Sequence, residues 1–443
     1  MTAAPPAAGT PLAASLVAPD RPGPVRPGEE LPVAALAAWL REHLPALPPR
    51  PAPLPAKAAP ENGAPAAAAE LPGTDGAAAA PGADRAQEAP AADRAAEALT
   101  VDQFPGGHSN LTYLLRWGGR ELVLRRPPVG ASVKSAHDMG REYRVLSRLH
   151  PHYPKAPRAL AACDDAAVAG APFFLMERVH GVILRRPPAA APAGRTAPFS
   201  VPAAGVAVAA PPACLRALAE AAVDALADLH AVDVAAAGLA DLGRPAGYAA
   251  RQVSGWTERW RRAATDPVPD VERAAAWLAD HLPRRSPAAE EAGAALLHND
   301  FKHDNLVLAA DLATITAVLD WEMATVGEPL MDLGTSLGYW LDPDDEEALM
   351  LLPVGVTALP GNLSRREVVE RYARATGRDV SGILFHYVFG LLKIAVIAQQ
   401  IYHRYRSGLT SDRRFAPLLA GVRLLGRTAA QAIARRRIDR LWD

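Results

Sequence analysis

The sequence predicts an α+β chain of two lobes, strand-rich up to about residue 180 and helix-rich after it. Three observations predict this. Short alternating apolar runs occur between residues 109 and 181, with the turn pair Gly118-Gly119 between two of them. From residue 214 onward the apolar residues recur at helical spacing. Two Ala/Pro-rich stretches, 47–98 and 186–213, carry almost no large apolar side chains and separate the patterned segments.

Each element follows in chain order. Residues 1–27 read as a disordered tail. Residues 32–44, PVAALAAWLREHL, read as an amphipathic helix with Val33, Leu36, Trp39, Leu40 and Leu44 along one side. The stretch 47–98 is expected to be a flexible insertion, because it has no aromatic residue with which to build a core. Residues 109–117 and 120–127 read as a hairpin, 135–150 as a helix, and 172–181 as a buried strand running into a turn. The stretch 186–213 reads as a long loop. Helices are then expected over 214–232, 250–263, 271–282, 365–377 and 382–405. The domain reading is an N-lobe over 28–180 and a helical C-lobe over 181–443.

Composition excludes several function classes. Lys plus Arg number 47 against 48 Asp plus Glu, a net charge of -1, so nothing favours nucleic acid or an anionic membrane surface. Basic clusters such as 140-GREYR-144 and 434-ARRRIDR-440 read as solvated helix faces. Two cysteines, Cys163 and Cys214, in unrelated contexts argue against structural zinc and fit a reducing compartment. The N-terminus lacks the basic start and unbroken apolar core of a signal peptide. The most apolar late segment, 382–405, is interrupted by His386, Lys393 and two glutamines, which favours a buried helix over a membrane span. The expectation is a soluble cytoplasmic protein with no membrane, nucleic-acid or protein partner.

The chemistry concentrates in 297-LHNDFKHDN-305 and 317-AVLDWEMATVGEP-329. Apolar residues flank the first stretch on both sides, so a short loop between buried elements would present Asp300 and Asn305 together. Residues 315–322 read as a strand ending in an acid, and Asp320 there is well placed for a hard cation. Phosphoryl transfer needs a carboxylate against the attacking hydroxyl, and an amide oxygen and second carboxylate to hold Mg²⁺ against the phosphates. Asp300, Asn305 and Asp320 supply one of each.

At these residues the chain resembles the aminoglycoside phosphotransferase/choline kinase superfamily, whose fold is protein-kinase-like. The branch it resembles is related to the phosphotransferase portion of some acyl-CoA dehydrogenase proteins. Similar runs there are 104-FPGGHSNLTYLL-115, 122-LVLRRPP-128 and 317-AVLDWEMATVGEPLMDLG-334. The likeness covers about 28–45 and 99–443. It implies an ATP- and Mg²⁺-dependent phosphotransferase, with GTP as an alternative donor, acting on a small-molecule hydroxyl such as that of a hydroxyacyl-CoA.

The same frame assigns further residues. In 106-GGHSN-110, Gly106, Gly107, Ser109 and Asn110 would bring backbone N–H groups to phosphates. Strand alternation puts Val123 and Arg125 on one face, Val123 over the adenine and Arg125 at the phosphates with Glu142 as its partner, and turns Arg126 to the other face. Met176, Glu177 and Arg178 resemble the hinge between lobes that reads the adenine edge. The resemblance gives His298 a loop-packing role and Asp332 the role of a buried acid bonding the loop backbone. Asn299 stands where the family usually has Gly, and asparagine tolerates the left-handed backbone. Lys302, His303 and Asp304 lie inside the loop as candidates to face substrate. The aromatics Trp256, Trp260, Tyr339, Trp340, Phe385, Tyr402 and Tyr405 would supply the acceptor pocket and its core. The run 342-DPDDEE-347 reads as a surface loop and helix start, so an acid-lined aminoglycoside site is the weaker option. A non-catalytic nucleotide sensor or scaffold on the same fold is the other reading.

Overall fold

The computed structural model describes residues 15–18, 22–44, 98–105, 110–128, 139–184, 206–209, 212–350, 356–410 and 412–442. Most of the insertion at 47–98 lies outside the described residues, as do Gly106, Gly107 and Ser109.

The N-lobe is a five-stranded antiparallel sheet. Its strands are β1 (Thr100–Gln103), β2 (Leu111–Trp117), β3 (Arg120–Arg126), β4 (Ala159–Cys163) and β5 (Phe173–Glu177), in the spatial order β1-β2-β3-β5-β4. Alternation decides its two faces. Tyr113, Leu115, Leu122, Leu124, Phe173 and Leu175 point to one side, where helix α1 (Val33–His43) covers them with Leu36, Trp39 and Leu40. Val123, Phe174 and Met176 point to the other, towards helix α2 (Met139–Leu149) and the C-lobe. Val33 does not join the expected stripe. It is the first residue of α1 and is 43% exposed. Ser15–Ala18 and Val206–Ala209 pair antiparallel, a strand ribbon where a tail and a loop were expected.

The C-lobe is built on α3 (Pro212–His230), α4 (Tyr248–Ala263), α5 (Pro269–Asp280), α6 (Pro329–Tyr339), α7 (Arg365–Thr376), α8 (Ile383–Arg406) and α9 (Leu418–Arg435). The apolar 24-residue α8 packs on α6 and α9, with Val388, Phe389, Leu391, Leu392 and Val396 buried. That is the packing of a core helix. Glycine lets α6 and α8 touch: a Cβ on Gly334 would lie 2.1 Å from the His386 carbonyl oxygen. The acidic run at 342 is surface only in part, with Asp344 exposed. Asp342 and Asp345 are buried and accept from Arg365, whose Nη1 lies 2.6 Å from Asp345 Oδ2. A buried guanidinium requires such partners, and helix spacing gives no sign of them.

Two short ribbons frame the motif. Strands β6 (Ala295–Leu297) and β9 (Thr325–Gly327) pair antiparallel, as do β7 (Leu306–Leu308) and β8 (Ile315–Val318). The loop 298–305 therefore leaves β6 and enters β7, and Asp320 follows β8 by two residues. The expected strand 315–322 is shorter than predicted, because the chain turns at Asp320 with φ of 70°.

Candidate active site

The loop is held by its backbone. Asp332, fully buried near the start of α6, accepts from the His298 N–H at 2.6 Å and the Asn299 N–H at 2.8 Å. His230 Nε2 stands 3.3 Å from the same carboxylate. Burial favours the neutral acid, but His230 and the loop N–H groups outweigh it and hold the Asp332 carboxyl below the usual range. His298 accepts the Asp300 N–H at Nδ1 and donates from Nε2 to the Leu319 carbonyl at 2.9 Å. Burial lowers its pKa, so it remains a neutral ring with both nitrogens engaged in packing the loop.

Asn299 has φ of 65°, a left-handed position. Its side chain donates to the Met323 carbonyl at 3.1 Å, and its own carbonyl accepts from Lys393 Nζ at 2.5 Å. Lys393 is fully buried on α8, and burial pushes it down to about 8. These bonds offset the roughly 1–3 kcal/mol strain of such a backbone.

Asn305 and Asp300 meet within the loop. Asn305 Nδ2 donates to the Asp300 carbonyl at 2.8 Å and to Asp300 Oδ2 at 3.2 Å, leaving the amide oxygen as the end that a cation would use. Lys302 Nζ lies 2.7 Å from Asp300 Oδ2 and 4.9 Å from the centre of the Tyr339 ring. Burial disfavours the Lys302 charge, yet neighbouring Tyr339, Asp300 and Asp304 more than offset it and raise its pKa.

Arg125 connects the lobes. Its Nη1 pairs with the buried Glu142, and its Nη2 lies 3.2 Å from Asp320 Oδ1, while Arg126 points to the opposite face and bonds Tyr113 Oη and the carbonyls of Ala169 and Glu29. Burial pushes Glu142 up to about 7 even with Arg125 beside it. Arg125, Glu142, Val123, Met176, Glu177, Arg178, Asn305 and Asp320 all line one cleft of about 270 Å³ between the lobes. Val123 and Met176 are direct partners across β3 and β5, an apolar platform at the back of that cleft. Arg178 is drawn to Glu121, at 2.7 Å.

Three residues carry more than their sequence context suggested. Glu322, two positions after Asp320, accepts from Asn110 Nδ2 at 2.9 Å. Burial and then the Asp320 charge push it up to about 8. Asn110, expected at phosphates, thus spans the lobes through Glu322. Arg141 is a correction to the solvated-face reading of 140–144: it donates to the carbonyls of Glu322 at 3.1 Å and Ala324 at 2.6 Å. Ser336, on α6, faces a second cavity.

That cavity, of about 190 Å³, lies in the C-lobe behind the loop. Phe301, Lys302, His303 and Asp304 form one wall, and Leu226, Val223, Leu333 and Tyr339 are among the others. Of the aromatics expected to line an acceptor pocket, Tyr339 and Trp340 border this cavity, while Trp256 and Trp260 lie in the core.

No set of three His, Cys, Asp or Glu side chains among the described residues is arranged to hold a metal by itself. Mg²⁺ does not require one, because it takes one or two carboxylates and completes its shell with phosphate oxygens and water. Asp320, 36% exposed to the cleft, and the Asn305 amide oxygen fit that demand.

The phosphotransferase enzyme family profile matches residues 100–360. The chain is 34% identical over 321 residues to acyl-CoA dehydrogenase family member 11 of Gallus gallus, covering 71% of this chain and 38% of that protein. It is 33% identical over 314 residues to acyl-CoA dehydrogenase family member 10 of Mus musculus, covering 70% of this chain and 27% of that one. The chain thus spans well under half the length of these relatives. A crystal structure of a Ralstonia eutropha protein described as a candidate aminoglycoside phosphotransferase superposes with a TM-score of 0.63 at 24% identity. It covers 91% of this chain and 99% of its own, and the shared fold is two-lobed and protein-kinase-like.

Proposed function

The chain belongs to the phosphotransferase enzyme family, and from that premise we propose that it transfers the γ-phosphoryl group of Mg²⁺-ATP to a hydroxyl of a small molecule. The observation that carries this reading is that Asn305 and Asp320 line one cleft with Arg125 and Glu142, while the Asp300 carboxylate is bonded to the Asn305 amide at 3.2 Å and Arg125 reaches Asp320 from the other lobe. The acceptor oxygen bonds to the γ-phosphorus, the bond to the β,γ-bridging oxygen breaks, Asp300 takes the hydroxyl proton and ADP leaves. Asp320 and Asn305 would hold Mg²⁺, which would supply neutralisation of phosphate charge. Arg125 adds a fixed positive charge at the same end, and Val123 and Met176 offer apolar surface to the base. GTP fits the same chemistry and is the second donor to try. Hydroxyacyl-CoAs head the acceptor screen, since the mouse and chicken relatives carry acyl-CoA dehydrogenase names.

The test is a thermal melt with and without Mg²⁺-ATP on the wild type and on Asp320→Ala. Nucleotide at a hundred times its dissociation constant stabilises by about 2.7 kcal/mol. The expected result is a Mg²⁺-dependent rise in Tm that Asp320→Ala loses. Absence of any shift with either nucleotide overturns the reading and favours a binding role without turnover. Asp300→Asn is expected to keep the shift and lower kcat by about 10²–10⁴-fold.

A further inference from the structure

Residues 387–398 of α8 carry one charge, Lys393, in an otherwise largely apolar run. The residue is 2% exposed. Among the described residues its hydrogen-bond partner is a backbone carbonyl, that of Asn299 at 2.5 Å, and not a carboxylate. A buried ammonium is costly unless paired, and an apolar side chain would pack this helix without that cost. What Lys393 contributes is therefore found at the catalytic loop. The Asn299 carbonyl and the Asp300 N–H are the two ends of one planar peptide. Lys393 donates to the oxygen, and the N–H donates to His298 Nδ1 at 3.2 Å. Asp332, on α6, accepts the Asn299 N–H at 2.8 Å. The two helices that carry Asp332 and Lys393 are in backbone contact nearby, where a Cβ on Gly390 would lie 2.1 Å from the Gly334 carbonyl oxygen. The side chains that hold the loop thus stand on helices fixed against each other.

We propose that Lys393 is a positioning residue for phosphoryl transfer: from α8 it fixes the peptide that carries Asp300 and so aims the carboxylate that receives the acceptor's proton. The inference rests on the phosphotransferase reading and adds to it a residue outside the nucleotide cleft. Asp300 directly follows the clamped carbonyl, so a rotation of that peptide swings its side chain. Trp256 of α4 places its ring centre 5.7 Å from Lys393 Nζ, and Tyr248 Oη of the same helix stands 3.4 Å from Asn299 Oδ1. The charged groups around the ammonium come from three elements. Asp300 and Lys302 belong to the loop, Asp332 to α6 and Arg259 to α4. Burial is the largest influence, and it outweighs the two acids and pushes Lys393 from 10.5 down to about 8. Above that pH the charge-assisted bond to Asn299 becomes a neutral one, roughly half as strong.

The test measures ADP release from Mg²⁺-ATP with water as acceptor, for wild type, Asp300→Asn, Lys393→Met and Lys393→Arg, together with amide exchange over 298–305. Lys393→Met should lower kcat by about 10–100-fold with KM for ATP unchanged, since a displaced base misses the attacking oxygen while the nucleotide cleft is intact. Lys393→Arg keeps the cation and should recover part of that loss. The ratio of wild-type to Lys393→Met kcat should shrink as pH rises from about 7 to 9, because the wild type loses its ammonium there. Glu142 and Glu322 titrate in the same range, and the ratio cancels them. Over that range the wild type should gain Tm relative to Lys393→Met, because the unfolded lysine, near about 10.4, still binds a proton that the folded one releases. A lysine that only supported the fold would move activity and stability together. Exchange over 298–305 should quicken in Lys393→Met. Unchanged exchange, or a wild-type kcat in that variant, overturns the inference and leaves the phosphotransferase reading standing. No ADP release from the wild type, or an undiminished rate in Asp300→Asn, defeats that reading and the inference with it. If Lys393→Arg fails to fold, Lys393→Met decides alone.

Discussion

Replacing Asp332 with alanine should loosen the catalytic loop more than any single loop substitution. The carboxylate is fully buried and satisfies two backbone donors, the His298 and Asn299 N–H groups at 2.6 and 2.8 Å. Alanine leaves both donors buried and unpaired. At about 1–3 kcal/mol for each, the loss is about 2–6 kcal/mol. The left-handed backbone of Asn299, φ 65°, loses one of its supports at the same time. The pH dependence has a definite sign. The folded-state pKa of Asp332 is lowered, so its contribution is fully present above the unfolded value of about 3.9 and is lost as pH falls through the folded one. The assay is urea unfolding of wild type and Asp332→Ala at pH 7, followed by far-ultraviolet circular dichroism. A second series towards pH 3 should show the difference between the two proteins shrinking. A variant within about 0.5 kcal/mol of wild type at pH 7 would refute the reasoning, because such a change is ordinary for a surface site.

Two further predictions concern the carboxylates of the cleft. Arg125→Met leaves Glu142 buried without its cation and should destabilise the protein by about 3–5 kcal/mol, read from the urea midpoint; an unchanged midpoint would mean that the pair contributes nothing. Glu322 is raised from its usual 4.5 to about 8, so the folded state retains a proton that the unfolded chain releases. Nucleotide-free stability should therefore fall as pH rises from about 5 to 8, and Glu322→Gln should flatten that slope in thermal melts. An identical slope in both proteins would remove Glu322 as its source. Glu142, raised to about 7, keeps a residual slope in the variant.

How much was legible in the chain depends on the range of each interaction. Local periodicity decided which faces of α1 and β3 turn inward, and it separated Arg125 from Arg126 correctly because neighbouring strand residues alternate. Val33 departed from its stripe only because a helix's first residue overhangs the surface that the next turns cover. Of the motif residues, Arg125, Glu142, Asn305 and Asp320 line one cleft, and Asp300 is tied to it through its bond to Asn305. The sequence by itself thus determined the two lobes, the family and the chemical types at the site.

Only the tertiary structure decided which groups meet across long separations. Arg125 reaches Asp320 in the other lobe, Asn110 reaches Glu322, and Lys393 on α8 reaches the Asn299 carbonyl. Arg365 finds Asp342 and Asp345, which buries two acids of a run expected at the surface. His303 and Ser336 come to one cavity from a loop and a helix with no shared pattern. Periodicity reports a face relative to the residue's own element. A contact between elements depends on how their packed surfaces are rotated and spaced, and that is settled by the core, not by either element alone.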